Sequence, residues 1–135
     1  MQHARKGFTI IEIVIVIMIM GIIAAGAVGG LRYLQRVRLQ QTQQKLAALD
    51  TIIENYNTSI GEYPTDLQEL IEGPSKPNLQ RRWAEPMATE TELKDTWNQP
   101  FAYTLNPKGT RPPYDLESIG SKGDAHIKSP RSQEG

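Results

Sequence analysis

A chain of 135 residues with 15 basic and 15 acidic side chains has room for one small domain beside a membrane segment. Its zero net charge gives no electrostatic footprint for nucleic acid. Having no cysteine, it makes no disulfide, no thiolate zinc site and no thiol nucleophile, and its compartment stays open.

The first element is a short basic leader holding His3, Arg5 and Lys6 and ending at Gly7. An apolar block follows: from Ile13 to Leu31 no residue is charged, and Ile and Val dominate its first half. About 20 helical residues at about 1.5 Å each cross a hydrocarbon core about 30 Å thick, so residues 8–31 read as a transmembrane segment. Glu12 stands just inside this block, where an acid costs about 3 kcal/mol near the centre and less near an end. On residues alone it is either a group kept for a partner within the membrane or an acid reaching water at headgroup depth. Charge does not fix the orientation, because Arg5 and Lys6 precede the segment while Arg32, Arg36 and Arg38 follow it. An ordinary secretory signal is a rival reading: Ala25-Gly26-Ala27 forms an A-x-A site, which would make Val28 the mature N-terminus. Glu12 inside the hydrophobic region argues against it.

The run Gly7-Phe8-Thr9-Ile10-Ile11-Glu12 at the mouth of the apolar block resembles the class III signal of type IV pilins and type II secretion pseudopilins. That resemblance implies cleavage between Gly7 and Phe8 by a membrane prepilin peptidase, with methylation of the new Phe8 amine. It also implies that Glu12 is kept as partner for the Phe8 amine of a neighbouring subunit. Two charges buried together relieve each other's desolvation, and such a pair fixes register more than it adds stability. The resemblance puts the N-terminus in the cytoplasm and the C-terminal part in the periplasm. The organisation it implies is a cleaved leader over 1–7, a transmembrane and filament-core half-helix over 8–31, a periplasmic domain over 32–123 and a polar flexible tail over 124–135.

The helix is expected to continue past the membrane. From Leu39 onward, Leu46, Leu49, Ile53, Tyr56 and Ile60 recur at spacings of three and four on one face, while Gln40, Gln41, Lys45, Asp50 and Glu54 read as facing water. A helix from Phe8 to about Ile60 would be about 80 Å long. Gly26, Gly29 and Gly30 interrupt it with residues that each cost about 1 kcal/mol against Ala. They serve either close packing through Gly26-x-x-x-Gly30 or a weak point that unwinds on assembly. The family usually carries Pro where this chain has Gly29.

Gly61 to Pro64 reads as a turn, and Thr65-Asp66-Leu67-Gln68 as a capping box in which Gln68 reaches back to Thr65. Leu67, Leu70 and Ile71 then form one face of a helix of about two turns, closed by Gly73-Pro74. The proline-containing stretch from Pro74 to Pro86 reads as a loop, with Trp83 packing and Arg81 and Arg82 solvated rather than meeting nucleic acid. Residues Asp95 to Tyr103 are similar to the Asp-Pro-Trp-Gly-Asn-x-Tyr region of major pseudopilins, with Thr96 and Asn98 in the Pro and Gly positions. Asp95 and Asn98 suit a turn, and Trp97 and Tyr103 are expected to pack on the long helix. Phe101, Tyr103 and Leu105 alternate as one strand; Asn106 to Gly109 turns; Tyr114, Leu116 and Ser118 alternate on the return. The expected fold is α+β and pilin-like: a long N-terminal helix carrying a small domain with a short helix and a small antiparallel sheet.

The resemblance further implies a calcium loop of the form Ser-x-Gly-Pro-Asp-Gly followed by paired aspartates. Here the corresponding stretch runs from Ser118 to His126, with Lys122 where an aspartate is expected and no aspartate pair. Calcium needs about six to eight oxygens, so Asp124 is only a weak candidate ligand and no cofactor is expected. The loop is then expected to be held by hydrogen bonds or subunit contacts, with His126 solvated and residues 127–135 disordered. The implied function is a non-enzymatic structural subunit, a homo-oligomer stacked into a periplasmic pseudopilus that supports type II secretion. Its implied partners are the prepilin peptidase, an inner-membrane assembly platform and minor pseudopilins, with no nucleic acid. A type IV pilin or minor pilin, for motility, adhesion or DNA uptake, is the alternative; the missing Cys pair and the Trp97 region favour the first. A membrane-tethered enzyme or ligand-binding domain finds no support in two histidines, no cysteine and no phosphate loop. A single-pass receptor or assembly protein that never polymerises stays open.

Overall fold

The computed structural model describes residues 7–121 and 126–134, apart from the side chain of Val28. Helix α1 spans Ile10–Ile60. The chain divides after Val37 into two compact units.

In the first unit, Thr9 starts the helix. Its carbonyl accepts the Glu12 N–H at 3.1 Å and its hydroxyl accepts the same N–H at 3.4 Å, one half of a capping box. Glu12 thereby lies in the first turn, where the helix dipole favours an acid. Large apolar side chains are exposed from Phe8 through Ile23, Ile10 to 84%. This end of α1 is long and apolar enough to cross a membrane. The helix runs unbroken through Gly26, Gly29 and Gly30, where an added Cβ would meet nothing within 4 Å. Nothing among the described residues crowds these glycines.

The second unit is built on the rest of α1. Leu46, Leu49, Ile53, Tyr56 and Ile60 form the expected stripe and are buried against Leu67, Leu70, Ala88, Leu93, Phe101, Tyr114 and Leu116. The stripe starts at the fully buried Thr42, not at Leu39, which is 38% exposed. The Thr42 hydroxyl lies 2.7 Å from that of Thr96, which donates to the Arg38 carbonyl at 3.2 Å. Threonine at the usual proline position thus ties its loop to α1. Asp50 and Glu54 do not both face water as their polarity predicts: Asp50 is only 8% exposed, because Tyr114 donates to its carboxylate at 2.9 Å.

Helix α2 is a single turn, Glu69–Glu72, shorter than the two turns expected. The residue that reaches back is Glu69, not Gln68: its carboxylate accepts the Thr65 N–H at 3.1 Å and the Thr65 hydroxyl at 2.8 Å. Gln68 turns outward to Glu72 and Glu90 instead. Gly73 closes α2 at φ 93° and ψ 172°, a region essentially reserved for glycine, and the Trp83 ring stands 3.0 Å from where a Cβ would be. Trp83 also meets Tyr56, ring centroids 6.0 Å apart, and so packs as expected. Arg82 is not simply solvated: its guanidinium donates to the Ile60 carbonyl at 2.8 Å, capping the end of α1. Trp97, by contrast, is half-buried and lies outside the core cluster, while Tyr103 packs against it.

The sheet is antiparallel in the order β1 (Ala102–Leu105), β2 (Tyr114–Ser118), β3 (Ile127–Lys128). Tyr114, Leu116 and Ser118 alternate inward along β2 as their spacing predicts. Strand β3 is the departure. Residues expected as a disordered polar tail pair Ser118 with Ile127 and Glu117 with Lys128, then form a 3-10 turn over Arg131–Gln133. Ser129 and Ser132 are buried there. The burial is by hydroxyl hydrogen bonds rather than apolar side chains, so hydrophobic periodicity carries no sign of it.

Candidate assembly and processing site

The candidate processing residues lie where the chain enters α1. Gly7 precedes the helix, and Phe8 is 81% exposed. Phe8, Glu12, Ile13 and Val16 line one shallow, largely apolar groove on the first unit. The structure therefore brings Phe8 and Glu12 to the same patch. Among the described residues, the Glu12 carboxylate makes no hydrogen bond or ion pair. Glu12 thus stands as an acid amid exposed Ile and Val side chains.

The candidate metal loop is different. Asp124 lies outside the described residues, as do Lys122 and Gly123. The Ser118 hydroxyl, fully buried, donates to Asp95 at 2.6 Å and accepts the Gly120 N–H at 3.3 Å. The other Asp95 oxygen accepts the N–H groups of Trp97 and Gln99, each at 2.9 Å, so Asp95 organises the turn in which Asn98 takes φ 61°. Glu117 meets His126 Nδ1 at 3.2 Å, which gives His126 a side-chain partner at the surface. Among the described residues, no group of three His, Cys, Asp or Glu stands together as a metal site. With these oxygens already engaged, the described residues do not offer a calcium ion the free oxygen ligands, about six to eight, that it wants.

Two buried acids, Glu69 and Asp50, carry the architecture instead. Glu69 accepts from Tyr56 at 3.0 Å, from both donors of Thr65, and from the Ser75 N–H at 3.1 Å and its hydroxyl. Burial raises the Glu69 carboxyl, but the Ser75 and Thr65 hydrogen bonds outweigh it and hold it below the usual glutamate value. Asp50 accepts from Tyr114 and from the Arg131 N–H at 3.0 Å. Burial, followed by the Asp50 charge and hydrogen bond, pushes the Tyr114 phenol up, so it stays a donor. Asp50 had one signal in the sequence: it falls four residues after Leu46 and three before Ile53, inside the apolar stripe.

A family model described as type II secretion system protein G matches residues 31–131. The chain belongs to that family. The prokaryotic N-terminal methylation motif matches residues 2–28, covering Gly7, Phe8 and Glu12. Proteins similar to this one include three named type II secretion system core protein G. That of Escherichia coli is 29% identical over 124 residues, covering 89% of this chain and 84% of its own. That of Vibrio cholerae is 30% identical over 131 residues, covering 91% and 88%. That of Pseudomonas aeruginosa is 28% identical over 126 residues, covering 90% and 87%. No solved structure matches the chain. As a member of the protein G family, the chain is a major-pseudopilin-type protein with an apolar N-terminal helix, of α+β pilin-like fold.

Proposed function

We propose that this protein is a structural subunit of a periplasmic pseudopilus, anchored in the inner membrane before assembly and drawn from it into a helical filament that supports type II secretion. The carrying observation is an apolar helix end that no described residue of its own unit covers, with one acid in its first turn. Prepilin peptidase cuts between Gly7 and Phe8 and methylates the Phe8 amine. In the filament that amine, a cation at neutral pH, seats against Glu12 of an adjacent subunit. The apolar faces then exchange lipid for one another. This step needs no active site. It needs only that helices approach closely, which Gly26, Gly29 and Gly30 permit, and that Glu12, which the filament would bury, finds its cation. An inner-membrane platform and minor pseudopilins are the assembly partners this reading requires.

The test is Glu12→Val in cells that contain the peptidase. Leaving a buried cation without its partner costs about 3–5 kcal/mol, so filaments should be lost while the leader is still removed. Filaments at normal yield would take Glu12 out of the mechanism. Unchanged leader removal in Gly7→Ala would take out the peptidase step.

A further inference from the structure

The segment from His126 to Glu134 does more than end the chain. After β3 it stays on β2: the Ser129 N–H donates to the Leu116 carbonyl at 2.8 Å, and the Leu116 N–H donates to the Ser132 hydroxyl at 2.7 Å. Together Ser129 and Ser132 satisfy the backbone of Leu116 along a strand edge that would otherwise stay open. The segment is tied to α1 as well. The Arg131 N–H donates to Asp50 at 3.0 Å, and its guanidinium meets Glu54 at 2.8 Å. Tyr63 donates to that same Glu54 oxygen at 3.1 Å. On the near side of the 119–125 loop, the Ser118 hydroxyl is fastened to Asp95. Both flanks of residues 122–125 are therefore pinned by hydrogen bonds, and the Arg131 guanidinium supplies a cation to Glu54 of α1 from within the chain.

We propose that this clasp holds the C-terminal loop without a metal, so that calcium, the ion the family resemblance implies, neither binds at the loop nor stabilises the domain. Asp50 and the buried serines are its anchors. The Arg131 guanidinium is the chain's own cation on Glu54 of α1. The inference rests on the second unit alone and is independent of how the first unit assembles.

The test uses the full chain in detergent micelles, with hydrogen exchange of residues 126–134 and thermal unfolding followed in EDTA and in calcium chloride. Protection of the segment should be equal in both, and Tm should not move. Loss of protection in EDTA would overturn the proposal. So would a Tm rise of about 10 °C or more in saturating calcium, the size expected from an ion at about a hundredfold its Kd. Ser132→Ala, which removes a hydroxyl that accepts from the Leu116 N–H and the Ser129 hydroxyl and donates to the Tyr114 carbonyl, should speed exchange of the segment by about tenfold, with calcium giving no rescue. Unchanged exchange in that variant, or rescue by calcium, would equally overturn it.

Discussion

Glu69 shows how one carboxylate can organise a region that apolar contacts leave loose. It joins α1 through Tyr56, the turn through Thr65 and the following loop through Ser75. Because its folded carboxyl lies below the ordinary value, the stability it contributes is fully present above that value and is lost as pH falls through the folded one. Urea midpoints should therefore drop between about pH 7 and about pH 3, with a shallower drop in Glu69→Gln; an equal drop would remove Glu69 from the acid response. Tyr114 makes the companion case. Tyr114→Phe leaves the packing in place but strips a donor from buried Asp50, and should cost about 1–3 kcal/mol in denaturant unfolding at neutral pH. A loss within error of zero would mean that water replaces the phenol. Glu12 differs from both acids: no described group answers its carboxylate within the chain, so its worth should appear in filament yield and not in the stability of the domain.

At the scale of elements, what could be read in advance followed from periodicity. The stripe from Leu46 to Ile60, the inward alternation along β2 and the turn at Gly61 are all patterns of apolar or glycine placement, and each stands where its spacing puts it. What periodicity could not carry was polar burial. Ser129 and Ser132 look like solvent residues until the Ser129 N–H and the Ser132 hydroxyl find Leu116, and Asp50 looks like one until Tyr114 and Arg131 arrive from distant sequence. The residue that reaches back to Thr65 differs by one from the expectation because Gln68 and Glu69 both suit that role and only Glu69 also meets Tyr56, while α2 itself starts three residues later than a cap at Thr65 predicts. Two substitutions separate element from assembly. Gly73→Ala forces a side chain into a glycine-only conformation beside Trp83, and should cost about 1–3 kcal/mol by thermal or chemical unfolding. Gly30→Leu meets nothing in its own subunit, so the domain should melt unchanged in detergent while filament yield falls. Normal filaments from that variant would leave close helix approach without a role.

For the whole molecule, the division after Val37 separates two kinds of surface. The second unit buries its apolar residues within itself and leaves no described buried side-chain polar atom without a partner. The first buries almost nothing and exposes Ile, Val and Met along its helix. In the proposed assembly the second unit is complete by itself, and the first finds cover in lipid or among copies of the chain. On that proposal, the amine uncovered at Phe8 commits it to the copies. Mass spectrometry of the N-terminal peptide, on protein taken from its native membrane, reads that group directly. The expected spectrum starts at Phe8 and carries one methyl group; a chain that still starts at Met1, or that starts at Val28, would contradict the account.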